Sequence, residues 1–252
     1  MKRLIKDAIR LAKMEYKHHF MAVILTFLAS IFIGLITGLL LTESSAIKWR
    51  VDSPFMNRLL LDLIFVGVAP AFATFFMAKP YLSFQTAKHD PYVKRMALLR
   101  TLPVPVSVLA LSRTLLMLSS LVIMSLAFYG TMIAVVFINT ASFSELMTAS
   151  ELFIFIVVWL GYMLTMGGLN PYIEYGTSGK TLHTIQFIFG GIFLIFALLL
   201  YKFRGQGIVE ISIQLVKSIG WPMAIISIVI GIICCIGWNK LLKNRLENRD
   251  YL

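Results

Sequence analysis

The sequence predicts an all-α membrane protein: six transmembrane helices, an N-terminal amphipathic interfacial helix, and both termini in the cytoplasm. Three observations carry this. Hydrophobic residues make up 59% and charged residues 14%, with a mean hydropathy of +0.85, against about 45–50% and about 25% in soluble domains. Mostly apolar runs of bilayer-crossing length recur six times in 252 residues. Of the 23 Lys and Arg, 17 fall on the side that an even number of spans gives to the termini, and six on the other. The positive-inside rule makes the richer side cytoplasmic. The net charge of +11 then needs no nucleic acid, because basic residues stand at the ends of apolar runs and are not interleaved with aromatics.

Residues 1–19, MKRLIKDAIRLAKMEYKHH, form the interfacial helix. Leu4, Ile5, Ala8, Ile9, Ala12 and Tyr16 recur at three- and four-residue spacing, while Lys2, Lys6, Arg10, Lys13 and Lys17 fall on the other face. Such a helix sinks its apolar face to the acyl boundary and offers its lysines to anionic headgroups. A solvated basic tail would account for the charge and not for the stripe. The segment is too charged for a cleavable signal peptide.

Residues 20–252 form a single six-span domain. The first span, about 20–41, places Ser30, Gly34 and Gly38 four residues apart on one face, a helix-packing seam of small residues. Its partner, another span or another subunit, is left open. The second span, about 59–78, holds Asp62 one turn inside and Arg58 four residues earlier. An intramembrane carboxylate is costly, and pairing with Arg58 across one turn is the expected remedy. Pro70 lies deeper and is expected to kink the span or open a carbonyl. The remaining spans are about 114–138, 152–169, 184–201 and 220–238. Residues 205–218 alternate β-branched apolar residues with charge, too short and broken to cross, and are expected to dip back as short amphipathic helices.

Chemical sites are scarce. Gly176–Thr181, GTSGKT, imitates a phosphate-binding loop, but the motif's first glycine, separated by four residues from Gly179-Lys180, is replaced by Glu174, so nucleotide binding is rejected. Cys234 and Cys235 are adjacent in an apolar run and are expected to stay unpaired. No metal-ligand spacing and no catalytic set appear, and the four histidines stand at the cytoplasmic ends of spans, expected wet. With hardly any charge inside the spans, the chain is expected to have no ion-coupling site, no cofactor and no energy source of its own.

The cytoplasmic loop 79–113 therefore carries the argument. Asp90-Pro91 is a helix start, with Asp90 as N-cap and Pro at the first position. A helix to about Leu102 is stopped by Pro103 and Pro105, and Ser107 is expected to cap the helix entering span three. Tyr92, Met96 and Leu99 line one face, with Lys94, Arg95 and Arg100 around the rest. This reads as a docking helix for a partner's groove.

The pattern LLRTLPVPVSVLALSR resembles the cytoplasmic segment of bacterial ABC-type exporter permeases of the type-two integral membrane family. The likeness extends over the whole chain in its organisation: basic N-terminal helix, six spans, long loop after span two, amphipathic segment before span six, basic tail. The resemblance implies a transmembrane subunit in the bacterial cell membrane, paired with a second copy or a similar chain. It also implies a separate ABC ATPase subunit, holding ATP and Mg, docked at Asp90, Tyr92, Arg95, Met96, Leu99 and Arg100. The N-terminal helix would then match the family's connecting helix and 205–218 its re-entrant helices. The loop NPYIEYGTSGKTLH departs from the family in being longer and more polar than a bare turn. The expected cargo is hydrophobic or amphipathic. A membrane scaffold or sensor binding anionic lipid or a regulator is the alternative.

Overall fold

The computed structural model describes residues 2–46, 55–83, 91–101, 103–138 and 147–248, and every regular element among them is helical. The elements are α1 (Lys2–His18), α2 (Phe20–Ala46), α3 (Phe55–Asp62, continued by a wide turn to Val68 and a tight one to Ala73), α4 (Lys79–Leu82), α5 (Pro91–Arg100) and α6 (Val106–Ile138). There follow α7 (Ala149–Gly167), α8 (Leu169–Gly176), α9 (Gly179–Arg204), α10 (Ile208–Ile219) and α11 (Trp221–Asn248). Six helices, namely α2, the extended α3, α6, α7 continued by α8, α9 and α11, are long and apolar enough to cross a membrane. Leu11 of α1 packs against the apolar cluster that holds Leu242 and Leu246 of α11, so α1 and the last turns of α11 lie at one end of the bundle, called below the termini end.

Small residues decide which helices meet. Gly34 and Gly38 press α2 onto α6: a methyl group on Gly34 would lie 2.5 Å from the Phe128 carbonyl, and one on Gly38 2.7 Å from the Val135 Cβ. Ser30 donates to its own Phe27 carbonyl and touches the Met124 sulfur. The seam is thus used inside the chain. A second seam holds α7 to α11, where Gly231 lies so close that an added Cβ would stand 2.7 Å from the Gly161 carbonyl. Between these pairs sits an aromatic core in which Phe65 meets Phe128, Phe155 and Trp159 edge-on or tilted at centroid distances of 4.9–5.9 Å.

The second span is irregular for a reason that Pro70 supplies. Proline has no N–H to give the carbonyl four residues back, which is that of Val66. The Tyr162 hydroxyl donates to that oxygen at 2.9 Å, while Asn170 reaches the Pro70 carbonyl and Ser120 the Phe72 carbonyl. Side chains from α7, α8 and α6 thereby replace the missing ladder, as an apolar surrounding demands. The span ends at Ala73 rather than near 78.

Other boundaries shift as well. The third span begins at Val106, not 114, with the amides of Val108 and Leu109 bonded to the Pro105 carbonyl; Ser107 is inside the helix and caps nothing. Its 33 residues reach about 50 Å at 1.5 Å per residue, beyond a hydrocarbon core of about 30 Å. The fourth span begins at Ala149 behind a capping box: Thr148 accepts from the Glu151 amide, and Glu151 reaches back to the Thr148 amide. The expected loop 170–183 is largely the helix α8, followed by a two-residue turn into the Ser178-capped α9. Within residues 205–218 a single amphipathic helix forms from Ile208 onward, α10, with Val209, Ile213 and Val216 buried in the bundle. Cys234 and Cys235 are free.

Candidate functional site: a buried ion network at the termini end

α5 forms with the expected start at Pro91 and stops at Arg100, close to the two prolines. Asp90, its expected N-cap, lies outside the described residues. The face chosen for docking turns out to face inward. Met96 and Leu99 are 0% and 4% exposed and pack on Leu109, Tyr175, Leu242 and Leu246. Tyr92 stacks edge-on with Tyr81 and Tyr175. The physical reason is that an apolar stripe on a short helix finds the nearest apolar surface, which here is the termini end of its own bundle. What α5 turns outward is Lys94 and Leu98, one turn apart, with Leu98 67% exposed; Arg100 is also exposed.

Arg95 belongs to neither face. It bonds to Glu15 at 2.9 Å and to the His19 ring at 2.9 Å. Glu15 also binds Arg113 at 2.6 Å, and both of these side chains are almost fully buried, 3% and 2% exposed. Arg113 donates to the Tyr175 hydroxyl at 2.9 Å, and its guanidinium stands 4.4 Å from the Tyr175 ring centre. Beside them the Tyr81 hydroxyl donates to Glu174. One carboxylate thus joins two guanidinium groups carried by α5 and α6, and it does so from α1.

Glu15 reaches this position because α1 has two apolar edges. Ala8 and Ala12, buried with Glu15, let the helix lie close on α6, while Ile5 and Ile9 stay exposed. The expected single stripe is therefore divided. Burial drives the titrations nearby. It raises the Tyr81 and Tyr92 hydroxyls well above the phenol range, with Glu174 adding to both. It lowers His19, which Arg95 lowers further. The tyrosines are held as neutral donors. A cavity of about 30 Å³ lies among Glu15, Tyr81, Arg113, Ser120 and Glu174, room for one or two waters. Ser120 is not an activated nucleophile, since its hydroxyl donates to the Phe72 carbonyl. Among the described residues no group of three or more His, Cys, Asp or Glu is placed to hold a metal.

The other expected polar pair is also rearranged. Asp62 accepts from the amides of Ile208 and Val209 at 2.9 and 2.8 Å, so it caps the N-terminus of α10 from 146 residues away. Arg58 instead approaches Glu210 at 3.5 Å and donates to the Gly205 carbonyl. The glycine at 207 follows from this closeness, because a Cβ there would meet the Asp62 carboxylate at 2.9 Å.

Sequence reasoning missed Glu15, Arg113, Glu174, Tyr81 and Tyr175. The signal for Arg113 was present: it stands in VSVLALSRTLLML with apolar residues on both sides, and a cation inside such a run needs a partner. His183, expected wet, is buried. No protein-family model, no curated protein and no solved structure matches this chain.

Proposed function

We propose that this chain is the membrane subunit of an ATP-driven exporter of the ABC type. It works as a pair with a second copy or a similar chain, and separate ATPase subunits hold the ATP and Mg. The observation that carries the proposal is the two-sidedness of α5. Its outer side offers an exposed leucine flanked by cations, a surface suited to a partner's apolar groove with an acidic rim. Its inner side ends in Arg95, which shares Glu15 with Arg113.

A push on α5 moves Arg95, and the shared carboxylate passes the displacement to span three through Arg113 and to the end of span four through Tyr175. No residue of this chain does chemistry in that scheme; force enters at α5. The 17-to-6 division of basic residues supports placing α5 and both termini in the cytoplasm of a bacterial cell. The apolar, Phe- and Met-rich spans suit a hydrophobic or amphipathic cargo.

The test is co-purification. Lys94→Glu with Leu98→Asp should abolish recovery of the ATPase with the chain in mild detergent while leaving membrane insertion intact. Normal recovery of the ATPase with that variant removes α5 as the docking element. A second reading, a scaffold or sensor on anionic lipid, is favoured by the exposed Ile5, Ile9 and Met14 among the basic residues of α1. Chain that purifies with no ATPase, and binds anionic vesicles through α1 alone, would favour it.

A further inference from the structure

The cavity at the termini end is lined by two carboxyl groups, and the cations around it are divided unevenly between them. Glu15 comes from α1 and Glu174 from α8, in the last turn of span four, and both face the same space of about 30 Å³. Glu15 takes two guanidinium groups, Arg113 at 2.6 Å and Arg95 at 2.9 Å. Glu174 takes none: among the described residues it is in no ion pair, and its donor is the Tyr81 hydroxyl. A carboxylate served by one neutral donor, and facing a second negative charge across a small cavity, is poorly compensated. A carboxylic acid in that place is well served. It accepts from Tyr81 and offers its own proton to a water in the cavity.

Titratable and charged groups face Glu174 from every helix around it. α1 brings Glu15 and His19, α4 Tyr81, α5 Tyr92 and α6 Arg113, all on the cavity wall. Arg95 stands behind Glu15, and α9 sets His183 beside Tyr81 in an adjoining cleft. From α11, Arg245 donates to the Gly176 carbonyl. Arg113 is the one guanidinium on the cavity wall. It already rests on the residue next to Glu174: it donates to the Tyr175 hydroxyl, and its guanidinium stands 4.4 Å from that ring's centre. The His19 side chain, 28% exposed, is where the cavity meets water.

We propose that Glu174 is a proton-binding site, and that its proton decides which of the two carboxyl groups holds Arg113. With the proton in place Glu174 is neutral, and Arg113 stays with Glu15. When the proton leaves for water past His19, the new carboxylate draws Arg113 across the cavity over the Tyr175 ring. Glu15 then keeps Arg95 alone. The exchange strands no charge, because Glu15 is the carboxylate with a cation to give up. It does remove the buried tie between α1 and α6, so proton loss loosens the N-terminal helix. Proton binding requires no ATPase. Only its consequence for force transfer, a stiffer joint between α5 and span three when the proton is bound, rests on the exporter proposal.

Infrared spectroscopy reads the proton directly, because a carboxylic acid and a carboxylate absorb at separate frequencies. Purified full-length chain in nanodiscs is taken from about pH 5 to about pH 9, a window in which exposed carboxyl groups are already ionised. A carboxylic acid band is expected at the acid end and its loss at the alkaline end. Labelling with 13C-glutamate should shift the band, which identifies a glutamic acid without any substitution. Glu174→Gln should remove it. Glu15→Gln, which releases Arg113, should move its loss to lower pH by about one unit, a tenfold change in proton affinity. His19→Gln and His183→Gln should leave the band in place. At about pH 8, amide exchange along the last two turns of α1 should be about fivefold slower in Glu174→Gln, whose group is always neutral, than in the unsubstituted chain. Absence of an acid band across the whole window, or a band that survives Glu174→Gln, overturns the proton site. A band that behaves as expected with no change in α1 exchange overturns the movement of Arg113. None of these results touches the α5 co-purification, so the two proposals fail separately.

Discussion

The bundle has a polar cluster at each end, and the two are built on different principles. At the end with α10, the Asp62 carboxylate is held by two backbone amides at a helix N-terminus, where unpaired N–H groups and the helix dipole both favour negative charge. Backbone donors cannot change rotamer, so that arrangement has one state. At the termini end, Glu15 is held by side chains alone, from α5 and α6, beside a cavity with room for water. Three flexible side chains and a cavity permit a second arrangement in which Arg95 or Arg113 takes a different partner. The lesson is that one end is a rivet and the other a joint. The joint is the end at which the proposed force enters.

Three experiments sharpen this contrast. The largest effect is expected from Arg113→Leu, which leaves a buried Glu15 with only the half-buried Arg95 and the His19 ring beside it; breaking a buried pair on one side costs about 3–5 kcal/mol. Thermal unfolding in detergent should show it. Adding Glu15→Leu should recover most of the loss, since Arg95 is 24% exposed and can turn to water. If the double variant is as unstable as the single one, the network is not the source of the cost.

Asp62→Ala at the other end removes two charge-assisted bonds to the start of α10, an effect of about 2 kcal/mol on the scale of helix caps. It should appear as faster amide exchange confined to α10. Loss of protection at the termini end as well would mean that the two clusters are coupled.

The smallest effect concerns pH. Burial and Arg95 depress the His19 pKa below its ordinary value of about 6.5, Glu15 opposes them, and His18 and Arg113 add a little to the depression. Protonation is therefore easier in the unfolded chain. The neutral ring contributes stability fully above about pH 6.5, and that contribution fades as pH falls through the depressed folded value. Because part of the ring is in water, the effect should stay under about 1 kcal/mol. His19→Gln should flatten the stability profile below pH 6.5, and an unchanged slope would assign it to another group.

Much of the architecture was legible. Apolar runs located six spans, Ser30, Gly34 and Gly38 marked a close helix approach, and Pro70 announced an opened carbonyl. Some cues stood in plain sight but went unread, such as Thr148 three residues before Glu151, a capping box that starts α7. The ion network was harder to see. Its members lie at positions 15, 81, 95, 113, 174 and 175, on five elements, and periodicity along one helix carries no information about which side chain of another helix it will meet. The pairing of Arg58 with Asp62 shows the same limit. Four-residue spacing made it plausible, yet a helix N-terminus 146 residues away offers two fixed donors to the carboxylate.

By itself the sequence determined the solvent of this protein, the number of its crossings and the existence of α5, because hydropathy and helix punctuation are local properties. Only the tertiary structure decided which face of α5 is spent on the protein's own core, which carboxylate is shared between two arginines, and which second carboxyl group faces the same cavity. Those outcomes depend on distances between helices, and distances between helices are set by packing that no single stretch of chain contains.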